Sequence, residues 1–132
     1  MLPTPPKSTI KKEGQFIAYL LTCAPQIHIY HLRAKGAGSF AAHMALGELY
    51  DALPDMVDPI AESIQGKMGL LVYDINVSYN SNYPEALSYV RDVLKYVETN
   101  RKNICQDTYV QNQIDGIVEK LYSTIYKLEN LG

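Results

Sequence analysis

The chain has 132 residues, a length suited to one domain with a single core. Its 47% hydrophobic and 20% charged residues match an ordinary globular protein. No apolar run approaches the roughly 18–20 residues of a membrane span, and a net charge of −2 argues against a dedicated nucleic-acid binder.

The first twelve residues, with three prolines, two threonines, a serine and three lysines, read as a flexible N-terminal arm. They lack the apolar stretch of a signal peptide, which favours a cytoplasmic location in a bacterium or a phage-infected host cell. A first helix is predicted over 13–34, with Phe16, Ile17, Leu20, Leu21, Ala24, Ile27 and Tyr30 on a helical period and a kink at Pro25. Gly36 and Gly38 mark a turn, and Ser39 is the expected N-cap of a second helix over 39–66. Its apolar side carries Phe40, Leu46, Leu49, Leu53, Met56, Val57, Ile60 and Ile64. Pro54 and Pro59 fall inside it, so a bend or break is expected near 50–55. Residues 67–82 read as a long connection. A third helix is expected from about Pro84 to Arg101 and a fourth from about Asp107 to Gly132. The predicted fold is therefore all-α: a flexible arm over 1–12, then a four-helix bundle over 13–132 with one long link between helices 2 and 3, the ferritin-like topology.

Two cysteines, Cys23 and Cys105, are too few for a disulfide framework or a Cys-rich zinc site. They read as small hydrophobes. Eleven tyrosines and no tryptophan are unusual. Most fit as packing residues whose hydroxyl reaches an edge, and Tyr50 is the tyrosine best placed to donate electrons beside a metal.

The densest chemistry lies in the first half of the chain. His31 and His43 stand twelve residues apart, and the Asp58-x-x-x-Glu62 pair begins fifteen residues after His43. Imidazole with carboxylate suits iron, zinc or copper. Asp58 and Glu62 are one helical turn apart and share a face, on the side away from the apolar stripe, together with Asp51 and Asp55. If 43–62 is one helix, His43 and Asp58 are separated by about 22 Å at about 1.5 Å per residue. One ion cannot touch both. Either these residues have unrelated jobs, or a second copy of the chain completes the site across a two-fold axis.

The stretch 31–43, His-x4-Gly-x3-Phe-x2-His, resembles the signature of the Dps miniferritins, the DNA-binding proteins from starved cells. Leu49-Tyr50 followed by Asp58-x-x-Ala61-Glu62 is similar to the same family's next segment. The resemblance implies a ferroxidase site at a dimer interface, with His31 and His43 from one subunit and Asp58 and Glu62 from its mate as metal ligands and catalytic residues. It also implies a homo-oligomer, a hollow dodecamer built from two-fold dimers, that oxidises Fe(II) with dioxygen or hydrogen peroxide and stores the iron. Zinc is a possible substitute metal. Three positions depart from the pattern: Gly47 replaces an acid, Leu32 a tryptophan and Ser63 an arginine. Those losses keep open the alternative of a phage-type structural or assembly protein with a degenerate site. DNA binding would be weak or absent, since only Lys7, Lys11 and Lys12 on the arm support it. His28, three residues before His31, is a candidate supporting group.

Overall fold

The computed structural model describes residues 7–75 and 85–131, with side chains from residue 12 onward. It is all-helical among the described residues: α1 (Lys7–Arg33), α2 (Ser39–Met68), α3 (Ala86–Asn100) and α4 (Thr108–Asn130), with a 3-10 turn at Arg101–Asn103. The expected arm therefore does not extend to residue 12. Helix α1 begins six residues earlier than the apolar pattern announced, and residues 1–6 lie outside the described part, as does the expected helix start at Pro84. Among the described residues, no helix is long and apolar enough to cross a membrane.

The break expected in α2 does not occur. The helix runs unbroken for 30 residues through both Pro54 and Pro59. Each proline removes one N–H from the ladder, but both sit on the exposed face, where water can satisfy the released carbonyls. The opposite face holds the helix together by burial. Leu46, Leu49, Leu53, Val57, Ile60 and Ile64 are all essentially inaccessible, and each contributes about 1.5–3 kcal/mol of transfer free energy. Pro25 is tolerated within α1 for the same reason, with Leu21 and Pro25 exposed while Leu20, Ala24 and Ile27 are buried. Leu21 and Phe40, assigned to the apolar faces by periodicity, are in fact exposed, Phe40 by 76%. The N-cap of α2 is Gly38, not Ser39. Its φ of 76° is the left-handed region that glycine enters at little cost.

Named contacts fix the direction of every helix. His31 near the end of α1 meets His43 near the start of α2. Lys67 at the end of α2 pairs with Asp107 just before α4, while Glu48 near its start pairs with Lys120 and Lys127. Arg91 of α3 reaches Glu129 of α4, and Arg101 reaches Gln111 and Asp115. Tyr19 and Tyr30 of α1 lie against Tyr96 and Tyr89 of α3. Each of these four helix pairs is antiparallel, and around the bundle the order is α1, α2, α4, α3. Helices α2 and α3 consequently run parallel.

Beyond α2, the backbone at Val72 lies close against the early part of α1. A Cβ at Gly14 would overlap the Val72 carbonyl, so glycine is required there by contact with the backbone. Next to it, Glu13 is buried with 0% exposure, and its Oε2 accepts a hydrogen bond from the Cys105 backbone N–H at 2.9 Å. Its other carboxyl oxygen has no hydrogen-bond partner. Burial raises the Glu13 pKa above the ordinary carboxylate range, against the opposing pull of the Cys105 N–H and of Lys12.

A carboxyl group with a raised folded-state pKa binds its proton more tightly in the folded chain than in the unfolded one. Its contribution to stability therefore falls as pH rises through the window above the ordinary value of 4.5. Glu13→Gln keeps an acceptor for Cys105 and removes the charge. The stability of the variant relative to wild type should grow as pH rises from mildly acidic to neutral, as measured by thermal or urea unfolding at several pH values. Gly14→Ala should destabilise the fold by about 1–3 kcal/mol in the same assay, because neither α1 nor the Val72 backbone can move away alone.

Candidate functional site

His31 and His43 face each other across the α1–α2 turn. Nδ1 of His31 lies 2.6 Å from the backbone carbonyl of His43, and Nδ1 of His43 lies 2.9 Å from the carbonyl of His31. A carbonyl only accepts, so each Nδ1 carries the hydrogen and donates. This reciprocal pairing sets the tautomer of both rings and leaves each neutral imidazole with its lone pair on Nε2. The rings stack with centroids 3.6 Å apart and planes 21° from parallel. Two ligand-type nitrogens are thus presented from one rigid, half-buried pair.

The helices that carry the pair explain its closeness. The turn between them needs only residues 34–38, and the positive φ values of Gly36 and Gly38 reverse the chain within it. One turn further along α2 stands Gly47. A Cβ there would lie 3.0–3.1 Å from the Cε1 and Nδ1 of His31. Glycine at 47 is therefore the seat of the His31 ring. The acid that the Dps-like pattern places at this position has no room in the present arrangement. The departure read from sequence as a lost ligand is also a gain of space for a histidine.

His28 and Tyr50 complete the surroundings. Their rings stack with centroids 4.0 Å apart and planes only 9° from parallel, and Tyr50 stands edge-on to His31 at 5.2 Å. His28 lies 6.1 Å from His31 between ring centroids. Tyr50 thus stands beside His31, one member of the histidine pair. The His28–Tyr50 stack was not legible, because nothing in the spacing pairs residue 28 of one helix with residue 50 of the next.

Asp58 and Glu62 lie elsewhere. Both are exposed on the outer face of α2, along with Asp51 and Asp55. Because α2 is continuous, the axial separation of about 22 Å between His43 and Asp58 holds. Among the described residues, no three His, Cys, Asp or Glu side chains of one chain gather into a metal-holding group. The structure brings together His31 and His43, and separately keeps Asp58 and Glu62 on one face. It does not join the two pairs within one chain.

A family model matches residues 31–128, beginning at His31 and covering most of the chain. The chain belongs to DUF5856, a family of unknown function. No curated protein and no solved structure matches it. The DUF5856 match spans the histidine pair, the carboxylate face and all of α2, α3 and most of α4, so it includes every residue of the candidate site except His28.

The role of Gly47 is directly testable. In an open helix, Gly47→Ala would stabilise by about 1 kcal/mol through helix propensity. Here that gain should be cancelled by displacement of the His31 ring. We expect no rise in unfolding temperature, together with shifts in the ring proton resonances of both His31 and His43. A stabilised variant with unmoved resonances would contradict the assignment.

Proposed function

We propose that this DUF5856 protein is a Dps-like miniferritin, in which the histidine pair of one subunit and the carboxylates of a second bind Fe(II) and promote its oxidation. The observation that carries the reading is the division of the ligand set along one rigid helix. His31 and His43 have their Nδ1 atoms committed to carbonyls and Nε2 left for a metal, while Asp58 and Glu62 sit about 22 Å and about 28 Å along the helix from His43, on an exposed face. An antiparallel second copy would bring each pair opposite the other and form two equivalent sites per dimer. The parallel α2 and α3, the ferritin-like helix order, support the same reading.

In this function iron is the substrate. Neutral imidazoles bind Fe(II) without adding charge, and carboxylates favour the harder Fe(III) product. His31 and His43 would hold the incoming ion, Asp58 and Glu62 of the other subunit would neutralise it, and Tyr50 would flank the oxidation. Dioxygen or hydrogen peroxide would act as the electron acceptor. A dodecameric shell would then store the product, and zinc could occupy the same ligands. The net charge of −2 gives such a particle little attraction for DNA.

The second reading is a scaffold that keeps the helices for assembly, of the kind phages encode. It is favoured by Gly47, whose missing side chain leaves no acid beside the pair and whose place is taken up by the His31 ring.

Anaerobic Fe(II) titration of the purified protein, followed by exposure to air or peroxide, separates the two. The miniferritin reading expects saturable Fe(II) binding, a ferric absorbance rise, and loss of both in the His31→Ala, His43→Ala double variant with helical circular dichroism retained. Asp58→Asn with Glu62→Gln should produce the same loss. A stable oligomer by native mass that neither binds nor oxidises Fe(II) would leave the scaffold reading, and a monomer would remove both.

A further inference from the structure

The α1–α3 seam opens into a cleft that neither the histidine pair nor the carboxylate face of α2 lines. Gln15, Tyr19 and Thr22 stand at i, i+4 and i+7 on α1, and so meet the cleft from one face of that helix. Tyr96 of α3 also lines it, its ring stacked on Tyr19 with centroids 3.6 Å apart and planes 22° from parallel. The segment beyond α2 contributes Asp74 and Ile75. That segment is tied down: its Val72 backbone abuts Gly14, the Leu71 N–H donates to Gln65 Oε1 at 3.2 Å, and the Tyr73 hydroxyl donates to the same oxygen at 2.9 Å. Three stretches of chain thus converge on a space of about 220 Å³, enough for a small solute.

The lining is chemically one-sided. Asp74 supplies a negative charge, and among the described residues no cation pairs with it and no Lys, Arg or His side chain lines the cleft. Burial raises the phenol pKa of both Tyr19 and Tyr96, so the rings stay neutral and keep their electron-rich faces. Thr22 donates its hydroxyl hydrogen to the Tyr19 carbonyl at 2.7 Å, which leaves its oxygen only to accept. A carboxylate, aromatic faces and an acceptor oxygen together select positive charge carried on N–H groups. We propose that this cleft binds a small organic cation of the guanidine or primary-amine class, with Asp74 pairing the charge and the Tyr19–Tyr96 stack holding the body of the ligand. A planar guanidinium suits it best, since it lies flat on a tyrosine ring while presenting paired N–H groups to a carboxylate. An anion would meet Asp74 with no compensating charge. A neutral apolar solute would leave the carboxylate unanswered.

This binding does not rest on the iron-oxidising reading, and its test contains no metal. Methylguanidinium is titrated into the wild-type protein at constant ionic strength, with tetramethylammonium and urea in parallel, and the ring resonances of Tyr19 and Tyr96 are followed by NMR. We expect saturable shifts of both rings with methylguanidinium and weaker binding of tetramethylammonium, which has no N–H. Urea, which has a similar planar shape without the charge, should produce none. Asp74 is exposed, so Asp74→Asn should keep its helical circular dichroism and weaken methylguanidinium binding by about three- to five-fold, the scale of one exposed ion pair. Glu119→Gln, at an exposed position of α4, makes the same change in net charge and should leave the binding unchanged. Equal shifts with urea, tetramethylammonium binding as tightly as methylguanidinium, an Asp74→Asn titration that matches wild type, or an equal loss in Glu119→Gln would each overturn the proposal.

Discussion

The continuity of α2 is the constraint on which the rest of the molecule depends. Two prolines should have divided this helix, and both are tolerated because they fall on the side that faces water. The buried side, from Leu46 to Ile64, packs against α1 and α4 with almost no exposed area. The result is a continuous spacer that keeps His43 near one end and Asp58 and Glu62 toward the other. A break near residue 54 would have allowed the second half of the helix to fold back, and the two ligand pairs could then have met within one chain. Unbroken, the helix enforces their separation within one chain.

The histidine pair illustrates how a weakness in local propensity can serve a site. A glycine in the middle of a long helix costs about 1 kcal/mol relative to alanine. At position 47 that cost is offset by the room it makes for the His31 ring, which then bonds the backbone of the facing residue and receives the same bond in return. The left-handed Gly38 at the head of α2 and the short glycine turn before it hold the two strands of this clasp in register. Gly36 and Gly38 thus reverse the chain with their positive φ, while Gly47 leaves out the Cβ that would crowd the His31 ring.

The other end of the bundle is organised by polar contacts of a different kind. Glu13 ties the Cys105 backbone to α1, Arg101 joins the end of α3 to Gln111 and Asp115, and Lys67 meets Asp107. The exposed ion pairs contribute little individually. Their value here is directional, since they distinguish the antiparallel pairings from alternatives that the apolar faces alone would permit. The buried Glu13 is the exception. It satisfies one orphan N–H at the cost of a desolvated carboxyl, and it makes this end of the bundle sensitive to pH.

Much of this architecture was legible in the sequence. The spacing of apolar residues indicated four helices, and the starts of α2 and α4 were placed within about one residue of their observed positions. The outward direction of Asp51, Asp55, Asp58 and Glu62 followed from the same 3.6-residue period, as did the minimum distance from His43 to Asp58. These properties are local: they depend on rise per residue and on which positions repeat. The sequence misjudged the start of α1, the exposure of Phe40 and the effect of Pro54 and Pro59, because each depends on what the rest of the fold places beside them. Only the tertiary structure decided that Gly47 seats His31, that Tyr50 stacks on His28, and that Tyr19 stacks on Tyr96. Such contacts join positions tens of residues apart, and their physical basis is the order and direction in which the helices pack, which no single segment encodes.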